Sequence, residues 1–508
     1  MNDISTLLSN INLKDLINEG LKRIEELIKE EKIDEAEIFF KQVVKLAPTS
    51  EKAQQLHMII LYVQKKYTQL IEIISNLILK EPNNADHYNN LGLCYMKMNQ
   101  IDKSIEVQMK AVELNPESCI YLNNLALSLR ANNRLNECVN LFKKSLEIKP
   151  TNSKTLLGLG LVYGQLKEID RAIDCFLKVV QKKPEKIEAY VELGYSYFLL
   201  GEWNKAWPYY EYRLEHWSKT NIAAGKFIGL FAKEKRWNGI DSLEGKKIIV
   251  YCEQGIGDFI HFIRFVPRLK ELGAEVYIVT QENLVSLFEG YGQIITDEKF
   301  PLYDYHCSVI SLPCLLNISV EHFKNNIPYF SINDKFDMMK YKNNFKIGIV
   351  WAGNPAHPND SVRSCYLSQF KKISNIETVK LFSLQKDVRK RTYTTISDAI
   401  IDFSEGAEDM KVVDMSEYMT DFKETAKIIQ AMDLIITVDT SVLHLAGALN
   451  KETWALIPFN PDWRWTLKGD KTVWYDSVTL FRQEEPKNWN PVFAKIESKL
   501  NDHLSRIN

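Results

Sequence analysis

The strongest constraint in this sequence is a proline that returns at a fixed interval. Prolines recur every 34 residues, at Pro48, Pro82, Pro116, Pro150 and Pro184. A constant period of this length indicates a repeated supersecondary unit, because each unit buries its apolar face only against its neighbours. The first part of the chain is therefore predicted to be a stack of similar units.

Other columns at the same period describe the unit. Leucine fills one column, a small residue the next, and a large residue a third, at Leu91, Leu125, Leu159 and Leu193; Gly92, Ala126, Gly160 and Gly194; and Tyr95, Leu129, Tyr163 and Tyr197. A further small column precedes aromatic residues by four positions, the spacing of one helix face. A 34-residue helix–turn–helix unit of this kind resembles the tetratricopeptide repeat over about residues 15–218, as six units with the first two degraded.

Two asparagines at one repeat position are candidates for binding a peptide acceptor. Asn90 and Asn124 each stand one residue before the leucine column, in the segments NNLG and NNLA. An amide side chain offers both a donor and an acceptor, which suits the backbone of an extended peptide. The alternative is that both satisfy neighbouring helices or face water, since Gly158 and Glu192 interrupt the column.

Charge and cysteine usage restrict the functional class. The chain of 508 residues has 64 basic and 66 acidic side chains, so no bulk field favours nucleic acid or an anionic membrane. Eight scattered cysteines without a CxxC pair suit reduced thiols and argue against a zinc site. No basic leader and no apolar run of about 18 residues occur, and we expect a soluble cytoplasmic protein.

After the repeats, short β-branched runs bounded by glycine replace the helical period. A run at 246–251 leads through CEQGIGD into a helix and then into a second run at 274–280, which predicts a β–loop–α–β unit. A second set of runs lies at 345–354, 379–386, 433–450 and 453–459. The sequence thus predicts two parallel α/β modules, with the segment 333–344 as the linker between them.

The glycine turn in CEQGIGD is not a dinucleotide fingerprint. Gly255 and Gly257 supply two glycines of GxGxxG, but Ile260 stands at the third, and no P-loop, HExxH or GxSxG motif is present. The turn presents Asp258 at a helix start, where it either caps the helix or accepts a proton from a hydroxyl. His261 falls on the same helical face and either assists or packs.

Two further clusters are candidates for holding phosphate. Asn354 follows a predicted strand, and Arg363 and Lys386 lie on loops at the carboxyl ends of strands, where α/β sheets bind ligands; either charge is otherwise solvated.

In the second cluster, a buried strand turns at Asp439, Thr440 and Ser441 into a helix whose free N–H groups suit an anion. The alternative is helix capping by these three side chains. For His444, inside this helix, core packing is favoured.

The order of these segments resembles one family. GEWNKAWPYYEYR, RWNG, EQGIGDFIHFIRFVPRL, VWAGNPAHPNDSVRS, SLQK, DLIITVDTSVLHLAGAL and PFNPDWRW together are similar to bacterial tetratricopeptide-repeat proteins fused to a heptosyltransferase-like domain of glycosyltransferase family 9. The resemblance implies a repeat solenoid (1–219) followed by a GT-B fold of two Rossmann-like domains, an acceptor-side domain (220–340) and a donor-binding domain (341–508). Such fusions include proteins implicated in glycosylating flagellin with nonulosonic acids.

The resemblance also implies roles. Asp258 occupies the family's glycine–aspartate motif and is the expected general base, with His261 beside it. The expected donor side comprises Gly255, Gly257, Asn354, Arg363, Lys386, Asp439, Thr440, Ser441 and His444. The segment 462–465 is typical of these fusions without a clear role, and Trp463 is expected in the core.

The expected function is inverting transfer of a sugar from a nucleotide-sugar donor to a protein acceptor such as flagellin, held by the repeats. No DxD carboxylate pair accompanies a catalytic loop, so neither a metal nor another cofactor is expected. The alternatives are a heptosyltransferase-like enzyme acting on lipopolysaccharide or another glycan, and an inactive repeat scaffold. Donor nucleotide, sugar and acceptor site stay open at this level.

Overall fold

The computed structural model describes residues 13–220, 228–297, 299–357, 359–386, 407 and 410–507. Internal contacts divide the chain into two compact units, the first ending at Val162 and the second beginning at Tyr163. The predicted boundaries at 219 and 340 stay predictions.

Paired helices form the first unit and the beginning of the second. They are α1 Leu13–Lys29, α2 Ile33–Leu46, α3 Glu51–Val63, α4 Tyr67–Lys80, α5 Ala85–Lys97, α6 Ile101–Leu114, α7 Cys119–Ala131, α8 Leu135–Ile148, α9 Ser153–Gln165, α10 Ile169–Lys182, α11 Ile187–Leu199 and α12 Trp203–Tyr210, followed by α13 Arg213–Thr220. The predicted helix–turn–helix unit is confirmed.

The turn inside each helix pair is closed by one left-handed residue. These residues are again 34 apart, with φ between 58° and 61° at Glu31, Lys65, Asn99, Asn133 and Lys167, and φ of 78° at Gly201. Asparagine and glycine adopt this conformation more readily than lysine or glutamate. The turn is therefore a structural column of the repeat that the sequence pattern had not singled out.

The small column lets the two helices of a pair approach closely. At Gly92, an added Cβ would lie 2.3 Å from Cγ of Gln108, a flexible side chain. At Gly194, in α11, it would lie 2.9 Å from the backbone nitrogen of Tyr210, in α12. Backbone cannot swing aside, so glycine is most strictly required at Gly194.

The second unit contains two parallel sheets. The strands are β1 Lys247–Tyr251, β2 Glu275–Val279, β3 Gln293–Ile295, β4 Tyr305–Ser308, β5 Phe345–Val350, β6 Val379–Ser383, β7 Val412–Asp414, β8 Leu434–Val438, β9 Thr453–Ile457 and β10 Val478–Arg482. Their order is β3-β2-β1-β4 in one sheet and β10-β9-β8-β5-β6-β7 in the other. The predicted class, helical repeats followed by parallel α/β structure, is confirmed.

The helices of this α/β part are mostly short. They are α14 Ile256–Phe262, α15 Val266–Glu271, α16 Glu282–Val285, α17 Leu312–Leu315, α18 Asp360–Arg363, α19 Lys371–Ser374, α20 Phe422–Ala431, α21 Ser441–Ala448 and α22 Asn490–Ile507. The single helix predicted after CEQGIGD is wrong in detail. A 3₁₀ turn at 263–265 divides it into α14 and α15, and Pro267 lies in the first turn of α15, where its missing N–H costs no hydrogen bond.

The last repeat helices share one core with both sheets. Phe198 of α11 stacks on Trp463 with ring centroids 4.3 Å apart, and Trp203 of α12 meets Trp474 edge-on at 5.2 Å. The expectation that Trp463 belongs to the core is confirmed, since it is only 3% exposed.

A buried ion pair fastens α13 to the first sheet. The guanidinium of Arg213 lies 2.9 Å from Oε1 of Glu253, directly beyond β1, and also donates to Ser311 at 2.9 Å. Within the second unit, α13 is therefore anchored to the first sheet.

All eight cysteines lie in the described ranges, and each is a free thiol. Among the described residues, no helix combines the length and apolar character needed to cross a bilayer.

Two glycine substitutions test the close helix contact. Gly194→Ala should lower the free energy of unfolding by about 1–3 kcal/mol, because its Cβ meets the backbone of Tyr210. Gly164→Ala is the matched control, since nothing lies within 4 Å of its added Cβ, and it should gain up to about 1 kcal/mol from helix propensity. Urea unfolding followed by circular dichroism measures both. Equal effects at the two positions would contradict this explanation.

Candidate functional site

The candidate site lies where the helix that follows β1 meets the helix that follows β8. Helix α14 begins just after β1, and α21 begins just after β8. A Cβ at Gly257 in α14 would lie 3.3 Å from Cα of Ser441 and 3.0 Å from Cδ2 of His444. The absent side chain at Gly257 thus lets the two helix starts approach, and the structure brings together the glycine turn that carries Asp258 and the turn that carries Thr440 and Ser441.

Asp258 has two partners at the start of α14. Its Oδ2 accepts the backbone N–H of Gly255 at 2.9 Å, which caps the helix. Its Oδ1 accepts the guanidinium of Arg464. The carboxylate is 17% exposed, and burial raises its pKa above the usual range while Arg464 acts in the opposite direction. Capping and a charged role are therefore compatible in one side chain.

Sequence reasoning missed Arg464. It lies in the 3₁₀ turn Trp463–Trp465 after β9, and Nη1 donates to Oδ1 of Asp462 at 2.8 Å. Only 5% of it is exposed. The available signal was an arginine between two tryptophans in PDWRW, because a charged side chain buried among aromatic residues requires a partner.

The turn before α21 presents backbone N–H groups. Thr440 is the N-cap residue, with φ −143° and ψ 175°, and its side chain makes no capping hydrogen bond to the helix. The hydroxyl instead lies 3.3 Å from Oγ1 of Thr437. Thr440 and Ser441 are half-buried and reachable from solvent. The capping alternative for Thr440 is therefore wrong.

Arg363 is brought to the same turn. Its Nη1 donates to the carbonyl oxygen of Asp439 at 3.1 Å, and its Nε donates to Oδ1 of Asp360 at 3.3 Å. The arginine lies against Gly353, where an added Cβ would come within 2.3 Å of Nη2. A guanidinium thus lies immediately beside the start of α21.

The carboxyl of Asp439 has a raised pKa. Burial raises the pKa of Asp439 to about 6, and the nearby Asp462 carboxylate adds to the rise. The Nε2 atom of His444 lies 4.0 Å from Oδ1 of Asp439.

The two histidines that the sequence indicated as site candidates, His261 and His444, pack together away from solvent. Nδ1 of His261 lies 3.1 Å from Nδ1 of His444 and 2.7 Å from the hydroxyl of Tyr475. Burial lowers the pKa of both imidazoles well below the usual value, so both are neutral at pH 7. The contacts of His261 follow its packing alternative and give no support for the assisting role.

The other donor-side candidates lie on exposed loops. Asn354 accepts the backbone N–H of Ala356 at 3.0 Å and so shapes the loop after β5. Gly255 and Lys386 are exposed.

Among the described residues, no group of three or more His, Cys, Asp and Glu side chains is arranged to hold a metal ion.

The repeat asparagines follow their alternative interpretation in part. Asn124 is buried and donates to Oδ1 of Asn89 at 2.8 Å. The half-buried Asn90 accepts from Nδ2 of Asn89 at 3.4 Å. Asn89 therefore connects the two, and Asn124 satisfies a neighbouring helix.

Comparison with known proteins finds a similar family for a segment in each part of the chain. The tetratricopeptide-repeat model matches residues 85–118, 121–152 and 153–186. The model of glycosyltransferase family 9 (heptosyltransferase) matches residues 418–468, the stretch that contains the turn at Thr440 and Arg464. The fold and these matches define a class, helical repeats joined to an α/β glycosyltransferase-type module. These matches support a fusion of tetratricopeptide repeats with a segment similar to glycosyltransferase family 9, as the motif order had predicted.

A curated relative and two solved structures extend the comparison. Protein FlbA of Caulobacter vibrioides is 22% identical over 296 residues, which are 53% of this chain and 48% of that protein, so the match spans about half of the relative. The crystal structure of MamA is 23% identical and covers 32% of this chain and 96% of its own, with a TM-score of 0.30. TTC0263, a thermophilic TPR protein in Thermus thermophilus, is 16% identical and covers 35% and 98%, with a TM-score of 0.32.

The raised pKa of Asp439 predicts a pH-dependent stability. A carboxyl whose pKa is higher in the folded state contributes stability that is present below its ordinary pKa and is lost as pH rises through about 6. Asp439→Asn should therefore be more stable than the wild type at pH 7.5, by about 1–3 kcal/mol, and should gain little at pH 4.5. Urea midpoints at both pH values measure this. Ser441→Ala, without a titratable group, should leave the pH slope unchanged, and an unchanged slope in Asp439→Asn would contradict the assignment.

Proposed function

We propose that this protein is an inverting, metal-independent glycosyltransferase that moves a sugar from a nucleotide-sugar donor to a protein acceptor bound by the repeats. One observation carries the proposal. The helix start that bears Asp258 and the helix start that bears Thr440 and Ser441 touch at Gly257. A carboxylate that can take a proton and a turn that can take a phosphate therefore lie at one junction between two parallel sheets.

The donor side rests on the start of α21. The first N–H groups of a helix and its dipole attract anions, and Thr440 does not cap them with its side chain. Arg363 adds a permanent positive charge beside the same turn. A nucleotide phosphate that leaves the sugar gains negative charge, which these groups stabilise without a metal ion.

The acceptor side rests on Asp258. Its burial raises the pKa of the carboxyl toward the range in which a general base works best. The acceptor hydroxyl oxygen forms the new bond to the anomeric carbon, its proton passes to Asp258, and the bond from that carbon to the phosphate oxygen breaks. Attack and departure on opposite faces give inversion in one displacement.

The repeats supply the argument for a protein acceptor. Stacked helix pairs of this type present extended surfaces that suit peptides, which a lipid-linked sugar does not need. Serine or threonine hydroxyls of flagellin or another surface protein are the proposed acceptors, and a nonulosonic acid is one proposed sugar. The experiments below distinguish transfer to a protein from transfer to lipopolysaccharide and from the absence of any transfer.

Nucleotide binding gives the first test. Full-length protein is titrated with CMP, UDP, ADP and GDP in EDTA while thermal unfolding is followed. One nucleotide should stabilise the protein, by about 2.7 kcal/mol at a hundred times its dissociation constant. Arg363→Gln should weaken that binding by about tenfold or more, because a charge-assisted contact to phosphate is lost. Arg268→Gln, which removes an exposed guanidinium of α15 paired with Glu271, is the matched cation control and should change binding little.

If no nucleotide at millimolar concentration stabilises the protein, with or without EDTA, the donor site is contradicted. If a nucleotide stabilises the protein only when EDTA is left out, metal independence is contradicted.

The base is tested by turnover with the nucleotide sugar so identified and a Ser/Thr-rich surface protein as acceptor. Asp258→Asn should reduce transfer by a factor of about 10²–10⁴ while nucleotide binding stays within a few-fold of the wild type. Product mass identifies the modified protein, and NMR of the anomeric proton should show inversion. Full transfer by Asp258→Asn would exclude it as the base, and modification of a lipid-linked glycan alone would replace the protein acceptor.

A further inference from the structure

A buried arginine joins carboxylates from both α/β modules. Arg464 and Asp462 come from the loop after β9, whereas Asp258 comes from the turn after β1. Nη1 of Arg464 lies 2.8 Å from Asp462, and Nη2 donates to Asp258. The pair therefore connects the two sheets at the candidate site.

The position of Arg464 is fixed by aromatic stacking. Its guanidinium carbon lies 4.2 Å from the ring centroid of Trp463, and the Trp463 ring stacks on Phe198 of α11. Leu467, three residues further on, donates its N–H to the carbonyl oxygen of Leu199 at the end of α11 at 3.1 Å. The last repeat therefore supports this loop through Phe198 and Leu199.

The largely buried carboxylate of Asp258 depends on the positive charge of Arg464. Removing one partner of a buried ion pair leaves an uncompensated charge, which the protein avoids by protonating the carboxyl. A protonated Asp258 cannot accept the proton of a hydroxyl. The guanidinium therefore decides whether Asp258 is available as a base.

We infer that Arg464 is a positioning residue of the transferase site, which keeps Asp258 ionised and fixes the direction of its carboxylate. The inference rests on the proposed function and deepens it. Asp462 in turn orients Arg464 through the guanidinium and through the backbone N–H of Arg464, which donates to Oδ1 at 3.0 Å.

Other titratable groups face the pair, and none of them replaces the guanidinium. They are Asp462 on its loop, Asp439 and His444 at α21, His357 on the loop after β5, Tyr210 in α12 and Cys252 after β1. Burial lowers the pKa of His357 and His444 and raises the pKa of Tyr210 and Cys252, so these four are neutral at pH 7.

The charge role is tested by stability against pH in the full-length chain. In Arg464→Gln, the pKa of Asp258 in the folded protein should rise further. The variant then keeps its stability below the ordinary pKa of an aspartate and loses stability as the pH rises through the raised pKa of Asp258. The urea midpoint of Arg464→Gln should fall between pH 5 and pH 8 more steeply than that of the wild type. Adding Asp258→Asn to Arg464→Gln should remove most of that extra fall, and Arg464→Lys should show less of it than Arg464→Gln.

Arg264→Gln is the matched control. Arg264 is equally buried, but its guanidinium donates to the carbonyl oxygens of His261, Phe323 and Trp474. Its loss should lower the midpoint by a similar amount at both pH values. A pH slope in Arg464→Gln equal to that of the control, or one that Asp258→Asn leaves unchanged, overturns the inference.

Turnover supplies the second measurement. The acid limb of the transfer rate should move upward by about one pH unit or more in Arg464→Gln and back toward the wild type in Arg464→Lys. If the wild type transfers sugar and the acid limb of the pH–rate profile is the same in Arg464→Gln, the role of Arg464 is overturned and the proposed function is not. No transfer by the wild type overturns the proposed function instead, and the stability experiment still shows whether the ion pair sets the charge of Asp258.

Discussion

The stack of Trp463 on Phe198 is the contact on which the arrangement of the second unit depends. It fastens the loop after β9 to the last repeat helices, and the surrounding core continues through Trp203, Trp207 and Trp474 into both sheets. Large aromatic side chains contribute much buried area and defined ring geometry at each contact. The final repeat consequently packs directly against the α/β part of the second unit, and it holds the loop that carries Arg464 in place.

Electrostatics at the junction follow from this packing. Asp258 and Asp439 converge with Arg464 and Arg363 where solvent access is low, and burial favours the neutral form of both carboxyls. The guanidinium groups oppose that tendency, since they are charged at any physiological pH. Such tension between burial and pairing is typical of sites that handle protons and phosphates. The same tension makes the site sensitive to the loss of a single partner, as a buried charge left alone is costly.

Periodicity and hydrophobic runs predicted the elements well where each pattern was long or strongly apolar. The 34-residue columns gave the helix pairs, and the runs at β1, β2, β5, β6, β8 and β9 each became a strand. The strands β3, β4, β7 and β10 lacked such a pattern, because three of them have only three or four residues and strand formation there depends on neighbours. His261 and Arg464 show the same limit for side chains, since burial and partners arise from segments distant in the chain.

Local spacing in the chain was enough to establish the repeat, the parallel α/β class and the two helix starts that carry Asp258 and Thr440, because these depend on which residues end a strand or begin a helix. The contact of the two helix starts at Gly257, the reach of Arg363 to the carbonyl oxygen of Asp439, and the pairing of Arg464 with Asp258 came from the three-dimensional packing alone. Contacts between residues 76 to 206 positions apart depend on how the sheets and the last repeat pack. No local pattern in one sequence encodes that packing, whereas the free energy of burying charge depends on it entirely.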